Sequence, residues 1–355
     1  MQSSSGTARH AADVMFTGCE VTNAAPLHAH PGGSRRQVVI QGRRVKTVDV
    51  HAHCLIPEAL EIVTQKPVET ARPDMIVKDD RLRAMDAMGI DVEALSINPF
   101  WYRAERDAAA EVVRIQNEKL AELCAAYPDR FVAFASVALQ YPDLAVQQLQ
   151  HAVKKLGLRG AAVGASVAGE EFSDPKFHPF WAKAEELGIL VFIHPQSTPE
   201  LAKRFKGNGW LSNVIGNPLD TTIALSHLIF EGTLDRFPGL KICAAHGGGY
   251  LASYAPRSDH GCRITPAECN PEIKLRKKPT EYLRDLYFDS LVFTPEALRH
   301  LAAEVGSSQI VVGTDHPIPW NPNPVDHILC TPELTDDERI AILGGTAARL
   351  LGIEP

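Results

Sequence analysis

The chain has 355 residues, of which 45% are hydrophobic and 22% are charged, and its formal net charge is -7 at pH 7. This composition is typical of a globular protein with a large core and excludes wholesale disorder. The acidic balance gives no support for a nucleic-acid-binding protein, and no apolar run reaches the ~18 residues that span a bilayer.

The first 45 residues are predicted to form an N-terminal extension. Residues 1 to about 34 are rich in Ser, Ala, Gly and Pro, whereas the following segment, QVVIQGRRVKTVDVHAH, predicts two short strands. No apolar core with a small-residue cleavage site stands at the N-terminus, so a cytoplasmic location is expected. The seven cysteines lack CxxC spacing, which favours reduced, buried thiols over a disulfide framework or a zinc finger.

From residue 46 to residue 355, the chain alternates apolar strands with amphipathic helices. The strands are rich in Val, Ile, Leu, Phe and Ala, as expected where both faces of a sheet are buried, and the helices end before Gly or Pro. The predicted strands are Thr47–His51, Val92–Ile97, Phe131–Val137, Gly160–Val163, Leu190–His194, Lys241–His246, Leu286–Ser290 and Ile310–Thr314. Eight strands, each followed by a helix, predict a single-domain α/β protein with a TIM (β/α)8 barrel.

Histidine and aspartate side chains stand where four of these strands end. His51 and His53 lie two residues apart on one strand, so both project to the same face. His194, His246 and Asp315 close three later strands. Because the carboxyl ends of barrel strands converge on one mouth, where active sites lie, these side chains are expected to meet there. Imidazoles together with a carboxylate suit a borderline cation such as Zn²⁺.

Each of these features alone has an ordinary structural explanation. A single H-x-H sequence recurs by chance, a histidine at a strand end can be a polar cap, and Asp-His-Pro can form a simple turn. Their occurrence at the ends of four separate strands favours a metal site. A second H-x-H sequence, formed by His28 and His30, lies between prolines with no β-branched run before it, so no functional metal site is expected there. His316 is expected to point away from the face of Asp315 and to support the site or the fold.

The order of the motifs VDVHAH, FIHP, AHGGG and GTDHP resembles the amidohydrolase superfamily. Within it, the stretches RLRAMDAMGIDVEALSINP, HGGGYLASYAPRSDHG and YLRDLYFDSLVFTPEALRHLAAEVGSSQIVVGTDHPIPW resemble the 2-amino-3-carboxymuconate-6-semialdehyde decarboxylase group of amidohydrolase-related decarboxylases. The resemblance extends from about residue 46 to the end of the chain. It departs from the group where the usual GTDYP or GSDYP reads GTDHP, and in the first 45 residues.

The resemblance implies a distorted barrel that holds one divalent metal ion, zinc or alternatively manganese. The implied ligands are His51, His53, His194 and Asp315. His246 would be the catalytic general acid/base beside the metal-bound water, and Asp315 is a second catalytic candidate for proton transfer. The fourth strand ends in GAAVGAS, without the carbamylated lysine of binuclear amidohydrolases, which favours a mononuclear site.

The substrate-binding candidates depend on the resemblance and on loop position. Arg257, at the end of HGGGYLASYAPR, matches the arginine that such enzymes lend across a dimer to a substrate carboxylate, which implies a homodimer or a higher homo-oligomer. Arg72 is the candidate for the substrate-binding arginine between the first two barrel strands. Phe100 and Trp101 follow the second strand, and Trp210 follows the fifth. These aromatic side chains could stack on a flat conjugated acid or pack under neighbouring helices.

Together, these features predict a metal-dependent, non-oxidative decarboxylase whose substrate is a small aromatic or muconate-type carboxylic acid. The reaction would need no organic cofactor. A metal-dependent hydrolase or hydratase of a lactone, amide or conjugated acid is the alternative, because fold and ligand set are shared across these reactions. A catalytically silent metal-binding protein is a third interpretation, although no residue of the expected site is missing.

Overall fold

The structure is a computed structural model that describes residues 35–63, 73–77, 79–196, 199–269 and 272–354. The histidine pair His28 and His30 and the substrate-binding candidate Arg72 lie outside the described residues. The division into an extension over residues 1–45 and a barrel over residues 46–355 stays a prediction.

A two-stranded antiparallel hairpin precedes the barrel. Its strands are β1 (Val38–Ile40) and β2 (Arg43–Val45), and both residues of the turn between them have positive φ, as a tight hairpin requires. Arg44 and Arg35 contact the buried carboxylate of Asp91 at 2.6 and 2.7 Å. Asp91 directly precedes the second barrel strand, so these ion pairs attach the hairpin to the barrel.

Eight parallel strands form the predicted barrel. They are β3 (Val48–His53), β4 (Val92–Ser96), β5 (Phe131–Ala135), β6 (Gly160–Val163), β7 (Leu190–Ile193), β8 (Lys241–Ala244), β9 (Tyr287–Asp289) and β10 (Ile310–Val311). Each strand pairs with the next one along the chain. The barrel closes between β3 and the segment that follows β10, through single bridges from Asp49 to Val312 and from Ala52 to His316. This irregular closure agrees with the distorted barrel that the resemblance implies.

Aromatic rings fill the barrel below the strand ends. Phe192 lies two residues before His194 in sequence, so both side chains project to the same face of the sheet. Its ring centre lies 5.1 Å from that of His51 and 5.8 Å from that of Phe134. Every residue of β7 is buried, as expected for a strand with the barrel interior on one face and helices on the other. The polar residues at the strand ends therefore stand on a rigid, apolar base.

Helices follow the strands around the barrel. They are α1 (Pro57–Leu60), α2 (Asp79–Met88), α3 (Arg106–Ala126), α4 (Pro142–Lys154), α5 (His178–Leu187), α6 (Asn217–Phe230), α7 (Thr233–Arg236), α8 (Leu251–Ile264), α9 (Pro266–Cys269), α10 (Pro295–Val305), α11 (Pro324–Leu329), α12 (Asp336–Ile340) and α13 (Thr346–Leu351). Gly188 ends α5 in the left-handed conformation, as the sequence pattern predicts. Within the part of the chain that the structure describes, no helix has both the length and the apolar character needed to cross a membrane.

The prediction of reduced thiols is wrong for two of the cysteines. Cys262 in α8 and Cys269 in α9 form a disulfide, with their Cα atoms 4.8 Å apart. The turn between these helices folds the chain back, so two thiols that are seven residues apart meet without CxxC spacing. Cys54 and Cys243 are buried free thiols, as expected.

Candidate metal centre

Four side chains meet at the carboxyl ends of the barrel strands. His51 and His53 lie on β3, His194 directly follows β7, and Asp315 lies in the loop after β10. Each offers one ligand atom, and these atoms all lie within 4.8 Å of one another. All four residues are buried. The convergence expected from the strand ends is therefore present in the fold.

The two histidines of β3 turn their Nε2 atoms towards Asp315. His51 Nε2 lies 3.1 Å and His53 Nε2 lies 2.8 Å from Asp315 Oδ1. On the far side of the rings, His51 Nδ1 donates to Asp289 Oδ2 at 2.6 Å, and His53 Nδ1 lies 3.1 Å from Ser96 Oγ. A hydrogen bond at Nδ1 fixes the orientation of the ring, so that Nε2 faces the centre and is the atom that would bind a metal ion after losing its proton.

The surroundings of His194 test whether a metal ion fits this centre. Both of its ring nitrogens are buried and have no hydrogen-bond partner among the described residues. A buried imidazole without partners is costly unless a ligand engages it. Burial lowers the pKa of His194 well below its ordinary value, so the ring stays neutral and keeps a lone pair for a cation. Three imidazoles and one carboxylate form a donor set that fits a divalent ion such as Zn²⁺.

The electrostatics of the centre favour positive charge. Burial alone would raise the pKa of Asp315, but the charge of His51 and hydrogen bonds from His51 and His53 hold that pKa well below its ordinary value. Burial lowers the pKa of His51, yet the carboxylates of Asp315 and Asp289 outweigh this effect and raise the pKa to about 10. The carboxylates therefore attract a cation, whether a proton or a metal ion, to the place where the ligand atoms converge.

Asp315 and His246 both have a left-handed backbone conformation, with φ values of 62° and 57°. This conformation is strained in residues other than glycine and occurs often at functional sites. Hydrogen bonds hold both residues in it. Asp315 N donates to His51 O at 2.8 Å, and His246 N donates to Asp289 Oδ2 at 3.0 Å. The fold therefore keeps two strained residues in fixed positions at the centre.

His246 lies beside the four candidate ligands. Its Nε2 atom is 4.0 Å from Asp315 Oδ2, and its ring centre is 5.1 Å from that of His51 and 5.3 Å from that of His194. Its side chain is 14% exposed, against 8% or less for His51, His53 and Asp315. A partly exposed imidazole in this position can give a proton to a bound molecule or take one from it.

Three of the candidate ligands, His53, His194 and Asp315, form one wall of a cavity of about 180 Å³. Phe100 and Trp210, two of the aromatic residues that the sequence singles out, also line it. Trp210 is 53% exposed and stacks on Trp320, another residue of the cavity wall, with their ring planes 12° apart. The mouth of the cavity therefore offers flat apolar surfaces to a ligand.

Two of the substrate-binding candidates lie away from this cavity. Trp101 is fully buried, and its indole N–H donates to the carbonyl of Val137 at 2.9 Å. Its neighbour Phe100 reaches the cavity, so Trp101 faces the opposite side and packs in the core. Arg257 is an exposed residue of α8 and does not line the cavity of its own chain.

Amide side chains in the cavity wall are candidates that the sequence analysis misses. They belong to Asn98, Gln196, Asn213 and Asn217. Asn98 follows β4, and Gln196 lies two residues after His194, so their positions just beyond strand ends could have found them. Asn and Gln are common in loops for other reasons, and their residue type alone does not indicate chemistry.

Close packing at the end of β6 favours a single metal ion. Gly164 follows this strand in the segment where binuclear amidohydrolases carry a lysine, and a Cβ atom there would lie 2.8 Å from Gln196 Oε1. Gln196 Nε2 in turn donates to the carbonyl of Pro99. These contacts leave little room at this strand end for a longer side chain.

Comparisons with known proteins agree with this geometry. The family profile described as Amidohydrolase matches residues 48–353. The 2-amino-3-carboxymuconate-6-semialdehyde decarboxylase of Dictyostelium discoideum is 32% identical over 280 residues, which cover 78% of this chain and 77% of that relative. The gamma-resorcylate decarboxylase of Rhizobium radiobacter is 32% identical over 287 residues, which cover 78% of this chain and 86% of that relative.

A solved structure gives the same picture for the fold. It is a dihydroxybenzoic acid decarboxylase from Polaromonas sp. JS666 with bound manganese and the inhibitor 2-nitroresorcinol. The two chains are 27% identical and superimpose with a TM-score of 0.77. The superposition covers 87% of this chain and 97% of that structure, so the likeness includes the whole barrel.

Proposed function

This chain belongs to the amidohydrolase family, and we propose that it is a metal-dependent, non-oxidative decarboxylase of an aromatic or muconate-type carboxylic acid. The observation that carries this proposal is the convergence of His51, His53, His194 and Asp315 beside a cavity with aromatic walls. The names of the relatives support the same reaction class, because they describe decarboxylases of carboxymuconate-type and hydroxylated aromatic acids.

One divalent metal ion is assigned to the four candidate ligands. Zinc is the proposed ion because three imidazoles and one carboxylate suit it, and manganese, which the Polaromonas relative binds, is the alternative. When bound, the ion would act as a Lewis acid that polarises the substrate. Asp289 and Ser96 orient the imidazoles of His51 and His53 for this role.

His246 is the proposed general acid/base. Decarboxylation requires that the carbon bearing the carboxylate gains a proton. The bond from this carbon to the carboxylate carbon then breaks, its electron pair stays with the substrate ring or chain, and CO₂ leaves. Asp289 holds the backbone of His246 and keeps its imidazole beside Asp315, which lines the cavity. Asp315 is the second candidate for carrying the proton.

The substrate is proposed to lie between the metal centre and the aromatic mouth of the cavity. Phe100 and Trp210 would contact the flat face of the acid, whereas the buried position of Trp101 suits a packing role. Arg257 would hold a substrate carboxylate in the site of a neighbouring chain, which agrees with its exposure and its absence from its own cavity. Arg72 remains the candidate arginine from the same chain. A cytoplasmic homodimer or higher homo-oligomer is part of this proposal.

The experiment that tests the proposal compares metal-replete and chelator-treated protein. Both are incubated with hydroxybenzoic acids and carboxymuconate-type acids, and the release of CO₂ is followed. We expect CO₂ only from metal-replete protein. Consumption of an acid without release of CO₂ would favour hydrolysis or hydration by the same centre instead.

A further inference from the structure

A connected network lies behind the metal centre and consists of the buried side chains of Glu93 and Arg81 and the partly buried side chain of His316. Glu93, on β4, is fully buried, and its Oε2 accepts a hydrogen bond from Arg81 Nε at 2.6 Å. Its other oxygen, Oε1, lies 2.6 Å from His316 Nδ1. Arg81, in α2, is only 4% exposed. None of the three residues lines the cavity beside the candidate ligands.

Both ends of the network reach the backbone of a candidate ligand. Arg81 Nη1 donates to the carbonyl of His53 at 2.7 Å. At the other end, the carbonyl of His316 accepts the N–H of His53 at 2.6 Å. His316 directly follows Asp315, and its own N–H donates to Thr314 Oγ1 at 3.0 Å. The network therefore holds His53 from both sides and also holds the residues that flank Asp315.

The barrel needs such support at this place. Between β3 and the segment after β10, single bridges stand in place of a continuous ladder of backbone hydrogen bonds. Asp315 lies in this segment with a φ of 62°, a conformation that persists only where the surroundings fix it. Since His53 and Asp315 come from opposite sides of this closure, their separation depends on the few backbone hydrogen bonds that cross it and on the side-chain contacts beside them.

We propose that Arg81, Glu93 and His316 are positioning residues that set the affinity of the centre for its metal ion by fixing His53 relative to Asp315. The inference rests on the metal site of the proposed function but not on its reaction. Hydrogen bonds to the residues around a metal typically change its affinity by 10–100-fold when they are removed.

A role in stability alone would leave this geometry unexplained. A buried ion pair such as that of Arg81 and Glu93 adds little net stability, because the cost of removing both charges from water offsets their attraction. In this network Arg81 Nη1 instead donates to the backbone carbonyl of His53, and Glu93 Oε1 contacts the ring of His316, the residue that follows Asp315.

The test measures the dissociation constant for Zn²⁺ by competition with a chelator, together with thermal unfolding of the metal-free protein. His316→Leu removes the contact to Glu93, and Glu93→Gln removes the charge of the central carboxylate. Asp91→Asn is the matched control, because Asp91 is a buried carboxylate with two arginine partners that precedes the same strand. We expect about 10–100-fold weaker zinc binding for the first two variants and unchanged binding for the control.

A rescue variant separates positioning from general loosening of the fold. His316→Gln keeps an N–H donor for Glu93 and should bind zinc more tightly than His316→Leu. Wild-type affinity in both His316→Leu and Glu93→Gln would overturn the proposal, and so would equal weakening by Asp91→Asn. If Glu93→Gln does not fold, the two His316 variants decide the outcome. A wild-type protein that binds no metal would contradict the proposed function itself, whereas unaltered binding in the variants would contradict only this inference.

Discussion

Asp289 Oδ2 accepts a hydrogen bond from His51 Nδ1 at 2.6 Å, and both side chains are fully buried. The same carboxylate accepts the backbone N–H groups of His246 at 3.0 Å and of Gly247 at 2.8 Å. One buried carboxylate therefore orients a candidate metal ligand and the candidate acid/base at the same time. Because both oxygens of Asp289 accept hydrogen bonds from these donors, Asp315 is the carboxylate that remains as the candidate metal ligand.

Asp289→Asn is expected to weaken metal binding by about 10–100-fold and to lower turnover as well. An amide has one acceptor oxygen for the several N–H groups that the carboxylate serves, so the ring of His51 or the backbone of His246 loses its partner. The metal content of Asp289→Asn and its dissociation constant for the metal ion are compared with those of wild type. The His51→Ala/His53→Ala double variant is the reference for complete loss of metal binding. Wild-type affinity and turnover in Asp289→Asn would show that His51 needs no such partner.

His246→Ala is expected to keep close to one metal equivalent per chain and to lose activity by about 10²–10⁴-fold, because it removes a general acid/base but no ligand. His227→Ala is the matched control, since His227 is a surface histidine of α6 with its side chain 38% exposed. Elemental analysis and a CO₂ assay are run on both variants. Activity within a few-fold of wild type in His246→Ala would move proton transfer to another group, and Asp315 is the nearest candidate.

Arg257 is expected to act in the site of a neighbouring chain. Arg257→Ala and His246→Ala should each be inactive alone, but mixed dimers contain one site in which both residues are intact. Activity should therefore partly return when the two variants are mixed under conditions that allow subunit exchange. No recovery after verified exchange would show that Arg257 acts within its own chain, and a fully active monomer would contradict the proposal for this residue.

Asp91 is expected to make stability depend on pH at the base of the barrel. Burial raises the pKa of Asp91, but hydrogen bonds from Arg44 and the Thr47 N–H and the charge of Arg35 outweigh burial and hold the pKa below its ordinary value. The carboxyl of Asp91 therefore binds a proton less tightly in the folded protein than in the unfolded chain. Its contribution to the free energy of unfolding is fully present at pH values above the pKa of the unfolded chain, and it is lost as the pH falls through the pKa of the folded protein.

Asp91→Asn should accordingly lower the free energy of unfolding by about 1.5–3 kcal/mol at pH 7. The difference from wild type should remain constant down to about pH 5 and shrink only below about pH 3.9. Urea unfolding at several pH values measures it. A difference that stays the same at the lowest pH would show that the carboxylate charge is not its source.

The architecture and the metal centre could be predicted because both follow from short-range patterns. Each strand is an apolar run bounded by turn residues. Side chains alternate between the two faces of a strand, so His51 and His53, two residues apart, must project from the same face. The meeting of His194 and Asp315 with them then follows from the geometry of a closed parallel barrel.

The surroundings of the centre could not be predicted in the same way. Whether Phe100 or Trp101 enters the cavity depends on how one loop turns, and no periodicity governs a loop. The contact of Glu93 with His316 joins two residues that are 223 positions apart in sequence. Such contacts depend on side-chain reach in the folded chain, which residue type and spacing do not specify.

The most direct test of the proposed reaction is the amount of CO₂ released per molecule of acid consumed by metal-replete protein in the absence of oxygen. A non-oxidative decarboxylase releases one CO₂ for each acid, and in D₂O the product carries deuterium on the carbon that bore the carboxylate. Chelation of the metal should abolish both signals. Consumption of the acid without CO₂, with a product that has gained the elements of water, would contradict the account.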